Sequence, residues 1–502
     1  MNVLLITASS ITFELVNNDA YYTDEYEIYL NNELIKKTNR NVESIYGLKE
    51  NTSYSLKLVL KNKLINYEFN TLNKTKIILK PNDKADNTKM VQEAIDRLTI
   101  DEVLVLDGVF HICSLFLRDN VSIELLKNTK LIGENDRSLY PILKASDELN
   151  GIVLGTWEGK SDDSFSSIIT GLGVSNVTIY GEGIIDCEAE KGDWWINHRE
   201  KRIARRPKGI FLHTCKNIYF EGITVCNTPS WNQHPFYSKN INYFNVNLLN
   251  PANSPTTDGI DPESCDIVNI IGTKISVGDD CIAIKSGKFD FAKKYRTPCS
   301  NVTIRNCLME YGHGGVTLGS ENSGGINNVY VSKCIFNMTD RGLRIKSQRG
   351  RGNLAIIKNI NFDNIKMNKV KAPFVINAFY KAGNDQLDER FIDEYQEVSE
   401  LTPSFDEFYF KNISCKDVAY GVGYFLGLPE SMIKKVVLEN IDISFDYNAD
   451  EGIMAMTPSN EKFKNIGFYV KNVCLLELKN ITYHNEPSKK FIINNVKEIK
   501  EC

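Results

Sequence analysis

Through the middle of the chain, apolar and polar residues alternate in short runs, and each run stops at a small polar residue. Between residues 254 and 347 four such runs read GIDPES, CIAIKS, GVTLGS and GLRIKS. Strict alternation over so few residues is the mark of a strand with one face turned inward. The closing serines are Ser264, Ser286, Ser320 and Ser347, at steps of 22, 34 and 27 residues. Going backwards, the same frame finds Ser238 in HPFYS and Thr214 in IFLHT, at steps of 26 and 24. Self-similarity at such periods signals a solenoid, whose units bury their apolar faces only against one another. The unit is too rich in strand formers for paired helices, so the pattern predicts a parallel β-helix of about ten coils ending near residue 485.

A second pattern runs beside the first. Asn176, Asn217, Asn240, Asn301, Asn328 and Asn359 each open a β-type run, with one long gap of 61 residues between Asn240 and Asn301. Polar residues at one turn position are expected to form a hydrogen-bonded ladder along the stack. Upstream, residues 1–72 alternate short β-runs with Asn-rich turns, and Tyr54 follows a turn at the start of a strand, as in the tyrosine corner of a β-sandwich. This predicts a small fibronectin type III-like β-sandwich over 1–72 and a β-helix domain over 73–502. Met90, Ile95 and Leu98 recur at helical spacing, so an amphipathic helix is expected to cap the first coil. Residues 186–208, with Trp194 and Trp195, and the acidic stretch 382–406 break the alternation and are expected to form walls.

In a β-helix, equal offsets from a repeated landmark lie on one line up the wall. Six residues before the serines stand Asp258, Asp280, Gly314 and Arg341; seven before stand Thr257, Asp279, His313 and Asp340. With coils about 4.8 Å apart, three carboxylates and a histidine converge on one spot. Arg344 and Lys346, two apart on a strand, share a face beside them. Any one of these aspartates alone reads as a strand-ending turn residue. Stacked like charges raise one another's pKa, which a purely structural role tends to avoid, and the cluster reads as functional.

Composition narrows the classes. The 502 residues carry a net charge of −5, so there is no global basic field for nucleic acid. No run reaches the 18 apolar residues of a membrane span. The 12 cysteines lack metal-site spacing, and Cys307 and Cys334, at matching places in their repeats, read as stacked free thiols, with a disulfide as the lesser alternative. The opening MNVLLITASS has no basic leader region and reads as a strand, so the expected location is cytoplasmic, or secreted or periplasmic if a leader has been removed.

The ordered set TTDGID, GDDC, GHGG and RIK resembles the motifs of glycoside hydrolase family 28, the polygalacturonases, over about residues 75–490. The resemblance implies a right-handed parallel β-helix that hydrolyses α-1,4-galacturonosidic bonds in polygalacturonate or oligogalacturonides with inversion and without a cofactor or metal. It implies Asp279 as general acid, Asp258 and Asp280 as the pair that activates water, and His313 as the residue that tunes the acid. Arg344 and Lys346 would grip the substrate carboxylate, with Tyr380 as a stacking tyrosine unless it is a core aromatic. The sandwich, the SWNQHP segment and the long loops are similar to the exo-acting bacterial branch, where Trp231 and His234 would contact sugar or simply pack. The family's leading Asn is Thr256 here, which is expected to alter local hydrogen bonding. On sequence alone an endo-acting or another pectin-backbone hydrolase, a Ca²⁺-dependent pectate lyase and a non-catalytic polysaccharide-binding β-helix remain open.

Overall fold

The alternating runs stack as parallel strands in the register their repeats imply. A computed structural model describes residues 1–82, 86–382 and 385–501. Val316–Gly319 lies between Ile282–Ile284 and Arg341–Lys346, pairing Val316 with Ile282 and Leu343. Single bridges join Ile260 to Ile282 and Glu263 to Lys285. The steps of 22, 34 and 27 therefore hold in space. One coil lower they do not: Phe236 pairs with Glu263 and Ile210 with Gln233. Tyr237, not Ser238, lies under Ser264, and Ser238 instead accepts a hydrogen bond from the Cys215 amide at 2.9 Å. A one-residue slip exchanges the faces of a strand, and the apolar alternation, not the terminal hydroxyl, decides which register wins.

The longest wall runs from Thr75–Leu79 to Lys489–Glu501 through thirteen parallel pairings. It extends past the roughly ten coils suggested by the repeats, because the terminal coils lack the serine landmark. Inward residues such as Ile282, Val316, Leu343 and Phe374 join one continuous apolar core. On the corner of the coil the asparagines hold left-handed backbone, with φ between 54° and 61° from Asn176 to Asn359, a conformation Asn tolerates better than most residues. Each side-chain amide donates to the asparagine one coil below: Asn217 to Asn176, Asn240 to Asn217, Asn328 to Asn301 and Asn359 to Asn328, at 2.8–3.0 Å. The long gap is the coil where Ile267 takes the left-handed position, and Asn301 donates to Asp266 at 2.7 Å instead.

Residues 2–70 form a three-stranded and a four-stranded antiparallel sheet around their own core of Ile11, Phe13, Tyr26, Ile28, Leu56 and Leu58. The Tyr54 hydroxyl accepts from the Lys49 amide at 2.8 Å, which closes the expected corner. This unit rests on the β-helix through polar contacts: Glu14 holds Arg305 at 2.6 and 2.9 Å, and Thr12 and Tyr46 both donate to buried Glu221 at 2.7 Å. The helix Thr88–Arg97 buries Val91 and Ile95 against the first coil and caps the core. Besides the two expected wall loops, a third set of walls rises as short antiparallel pairs between Ile142 and Phe165. Its two-residue strands are too short to carry a readable period.

Candidate active site

Asp258, the Asp279–Asp280 pair and His313 each sit just before a wall strand, and backbone bonds between coils bring them together. The Gly259 amide donates to the Asp280 carbonyl at 3.0 Å, Cys281 to Gly314 at 2.8 Å and His313 to Asp279 at 3.0 Å. Asp258 is fixed from below, its carbonyl accepting from both the backbone and the side-chain amide of Asn232 at 2.8 and 2.9 Å. Carboxylate oxygens of Asp258, Asp279 and Asp280 consequently lie within 4.8 Å of one another. Among the described residues this is the group close enough to hold a metal ion. Side-chain cations already face it: Arg344 Nη1 is 2.9 Å from Asp280 Oδ1, Lys346 Nζ is 2.7 Å from Asp280 Oδ2, and Lys285 Nζ is 4.0 Å from Asp258.

The electrostatics set the three aspartates apart. Stacking is expected to raise them all, but Asp279 is not raised. Burial pushes it up, but the His313 ring, with Nδ1 3.2 Å from Oδ1, brings it below its ordinary value. The raised group is Asp258, held well above the usual carboxylate range by burial and by Asp261 and Asp279. Asp280 is driven up by burial but pulled far down by Lys346 and Arg344. His313 is raised in turn by its bond to Asp279. Arg344 and Lys346 share a strand face, and each gives one contact to Asp280. Lys346 also lines the cavity, 5.7 Å from the Tyr380 ring centre; Arg344 lies behind it against the Met456 sulfur at 3.3 Å.

The cavity above the cluster holds about 570 Å³ and is walled by all three loop sets. Asp258 and Asp279 form its floor, while Asp280 is fully buried behind them. Tyr380 and Trp231 line it, Trp231 stacking on Trp157 with ring centres 5.8 Å apart. His234 does not line it. It is buried under Trp231, with Nε2 3.0 Å from Glu263, and burial holds it neutral, well below its ordinary pKa. Thr256, in the left-handed region at φ 53°, uses its hydroxyl to accept from Arg206 at 2.6 Å, a bond that ties the wall loop to the floor.

Sequence reasoning missed most of the cationic wall. Lys160, Arg199, Arg205, Arg206, Lys285, Lys288, Lys346, Arg351 and Arg390 line the cavity against Glu158, Asp258, Asp279, Glu321 and Asp385. An acidic protein thus has an electropositive site, which suits a polyanion. Lys285 was within reach of the repeat frame, since CIAIKS and RIKS place it in the column of Lys346; it bridges Asp261 at 3.3 Å and Glu321 at 3.4 Å. The loop cations carry no such signal.

Residues 125–390, more than half of the chain, match the family model described as glycosyl hydrolases family 28. A probable polygalacturonase of Vitis vinifera is 32% identical over 308 residues, which cover 59% of this chain and 60% of that protein. An endo-polygalacturonase of Pectobacterium carotovorum subsp. carotovorum is 28% identical over 315 residues, covering 60% and 73%. The chain thus spans about 60% of the length of the first of these curated relatives. Among solved structures, the exopolygalacturonase of Thermotoga maritima superposes with a TM-score of 0.63 at 23% identity, over 80% of this chain and 89% of that one. The family 28 exopolygalacturonase of Yersinia enterocolitica gives 0.70 at 15% identity, over 100% and 97%. These two share the fold. With four ordered motifs meeting at one carboxylate cluster and a family match over half its length, this chain belongs to glycosyl hydrolase family 28.

Proposed function

We propose that the protein hydrolyses α-1,4-galacturonosidic bonds in polygalacturonate and oligogalacturonides, acting from a chain end and inverting the anomeric carbon. The observation that carries this reading is a cluster of three carboxylates, two of them on the cavity floor, under walls rich in lysine and arginine. Hydrolysis needs a proton for the leaving oxygen and a carboxylate to activate water. Burial raises Asp258, and the His313 ring bonds Asp279 at 3.2 Å, so a proton can rest at either place. Within the 4.8 Å span of the cluster, the proton shared by His313 and Asp279, 3.2 Å apart, makes Asp279 the donor its motif implies. Asp258, in its ionised form, accepts a proton from the attacking water, and Asp280 remains an anion that fixes Lys346 and Arg344. The span is shorter than the ~6.5–9.5 Å usual between inverting carboxyls, so inversion rests on family membership and not on this distance. The exo reading rests on the walls around the cavity and on the names of the two structural relatives.

Defined oligogalacturonides test all of this. Wild type should release new reducing ends and one short product, with the β-anomer first by proton NMR, and Asp279→Asn should abolish release. A ladder of sizes at early times would mean endo cleavage. Unsaturated products absorbing in the near ultraviolet, lost with chelator, would mean a lyase, and binding without new reducing ends a non-catalytic protein.

A further inference from the structure

Arg351 is a buried cation that Glu321 and Asp385 act on through space, but that has no hydrogen-bond acceptor among the described residues. It is 7% exposed, its Nε is buried and unbonded, and among the described residues its guanidinium makes no hydrogen bond or ion pair. An unpaired buried charge is strongly unfavourable. The other buried cations of the cavity wall avoid it: Arg206 bonds Thr256, Lys285 pairs with Asp261 and Glu321, and Lys346 pairs with Asp280. The contrast is sharpest two residues away. Arg349 grips Glu430 with two prongs at 2.6 and 2.9 Å and donates to the Ile392 carbonyl at 2.6 Å. One arginine of this turn builds the wall, and the other faces open space.

The turn does not need the Arg351 side chain to hold its shape. Backbone bonds anchor it, Gly350 and Gly352 both donating to the Leu401 carbonyl at 2.9 and 3.2 Å. A side chain at Gly352 would overlap the Phe289 ring at 2.6 Å. Arg351 lines the catalytic cavity and also a second cavity of about 270 Å³ beside it. Ser323, in the wall of that second cavity, is fully buried with an unbonded hydroxyl. A planar donor fork beside a cavity with an unbonded hydroxyl in its wall matches a carboxylate held by two parallel bonds.

We propose that Arg351 anchors the carboxylate of a galacturonate unit other than the one at the cleaved bond, and so determines specificity for de-esterified substrate. The inference rests on the polygalacturonate reading above. A methyl ester removes the charge that the guanidinium requires, so discrimination between acid and ester is its signature.

The test compares wild type, Arg351→Gln and Arg351→Lys on tetragalacturonate and its methyl ester, by initial rates and by calorimetric binding. Loss of a two-pronged charged contact is expected to raise KM for the acid about 10- to 100-fold in Arg351→Gln. The kcat should stay within about threefold, and the acid-to-ester affinity ratio should shrink by the same factor as KM rises. Arg351→Lys, which keeps the charge without the fork, should fall between. An unchanged KM, or equal losses on acid and ester, overturns the proposal. Should Arg351→Gln not fold, the acid-to-ester ratio of Arg351→Lys decides by the same criterion. Wild type inert on polygalacturonate overturns the functional reading instead, whereas an active wild type matched by Arg351→Gln overturns only the role of Arg351.

Discussion

Lys346→Met tests how the cluster is charged. Asp280 is completely buried, Lys346 is 9% exposed, and their atoms are 2.7 Å apart. Removing one member of a buried ion pair costs about 3–5 kcal/mol, because the remaining charge has neither water nor partner. Arg344 still holds the other carboxylate oxygen at 2.9 Å, which places the expected loss near the lower end, about 3 kcal/mol. Asp280 titrates below its ordinary value in the folded protein. Its contribution is therefore complete above the unfolded carboxylate pKa of about 3.9 and is lost as pH falls through the lower folded value. Urea unfolding should thus show the full difference between wild type and Lys346→Met at pH 7 and a smaller one below pH 4. In the Asp280→Asn background the same substitution should be nearly harmless, giving a coupling energy of about 2 kcal/mol or more. With Asp280 less firmly ionised, the acid limb of the pH–rate profile should move to higher pH. A loss under about 1 kcal/mol, or no coupling to Asp280, would refute the charge assignment.

Three further outcomes are expected. His313→Asn removes the bond that holds Asp279 down, so the Asp279 pKa should rise and kcat fall about 10²-fold or more with little change in KM, read from the pH–rate profile. Burial raises Asp261 to about 7 and Glu263 to about 8, so the folded state binds more protons than the unfolded one between those values and the ordinary carboxylate range. Stability should accordingly fall as pH rises from about 5 to 8, and Glu263→Gln should flatten that slope by up to about 1.4 kcal/mol per pH unit in chemical denaturation. Because the cavity is lined by more cations than anions, KM for polygalacturonate should rise as ionic strength goes from about 0.01 to 0.15 M while Tm stays nearly level.

How far the sequence reached differs between groups. Asp258, Asp279, Asp280 and His313 were found because each lies at a constant offset from a repeated strand, and strand pairing converts equal offsets into neighbours in space. For His234 the sequence left sugar contact and packing both open, because proximity to Trp231 in SWNQHP says nothing of which side chain covers the other; the structure buries the imidazole, with the two rings at right angles. Arg344 and Lys346 were correctly located, but their partner was not, since Asp280 lies 64 and 66 residues away.

Alternation of apolar and polar residues determined, by itself, that this chain winds into a parallel β-helix and that three aspartates meet on one wall. Backbone hydrogen bonding allows few registers, and burial of one strand face selects among them. Only the tertiary structure decided the protonation of the cluster, the burial of His234 and the empty grip of Arg351. Those properties are set by charges and dielectric surroundings that loops from distant parts of the chain supply, and long-range electrostatics has no period along a sequence.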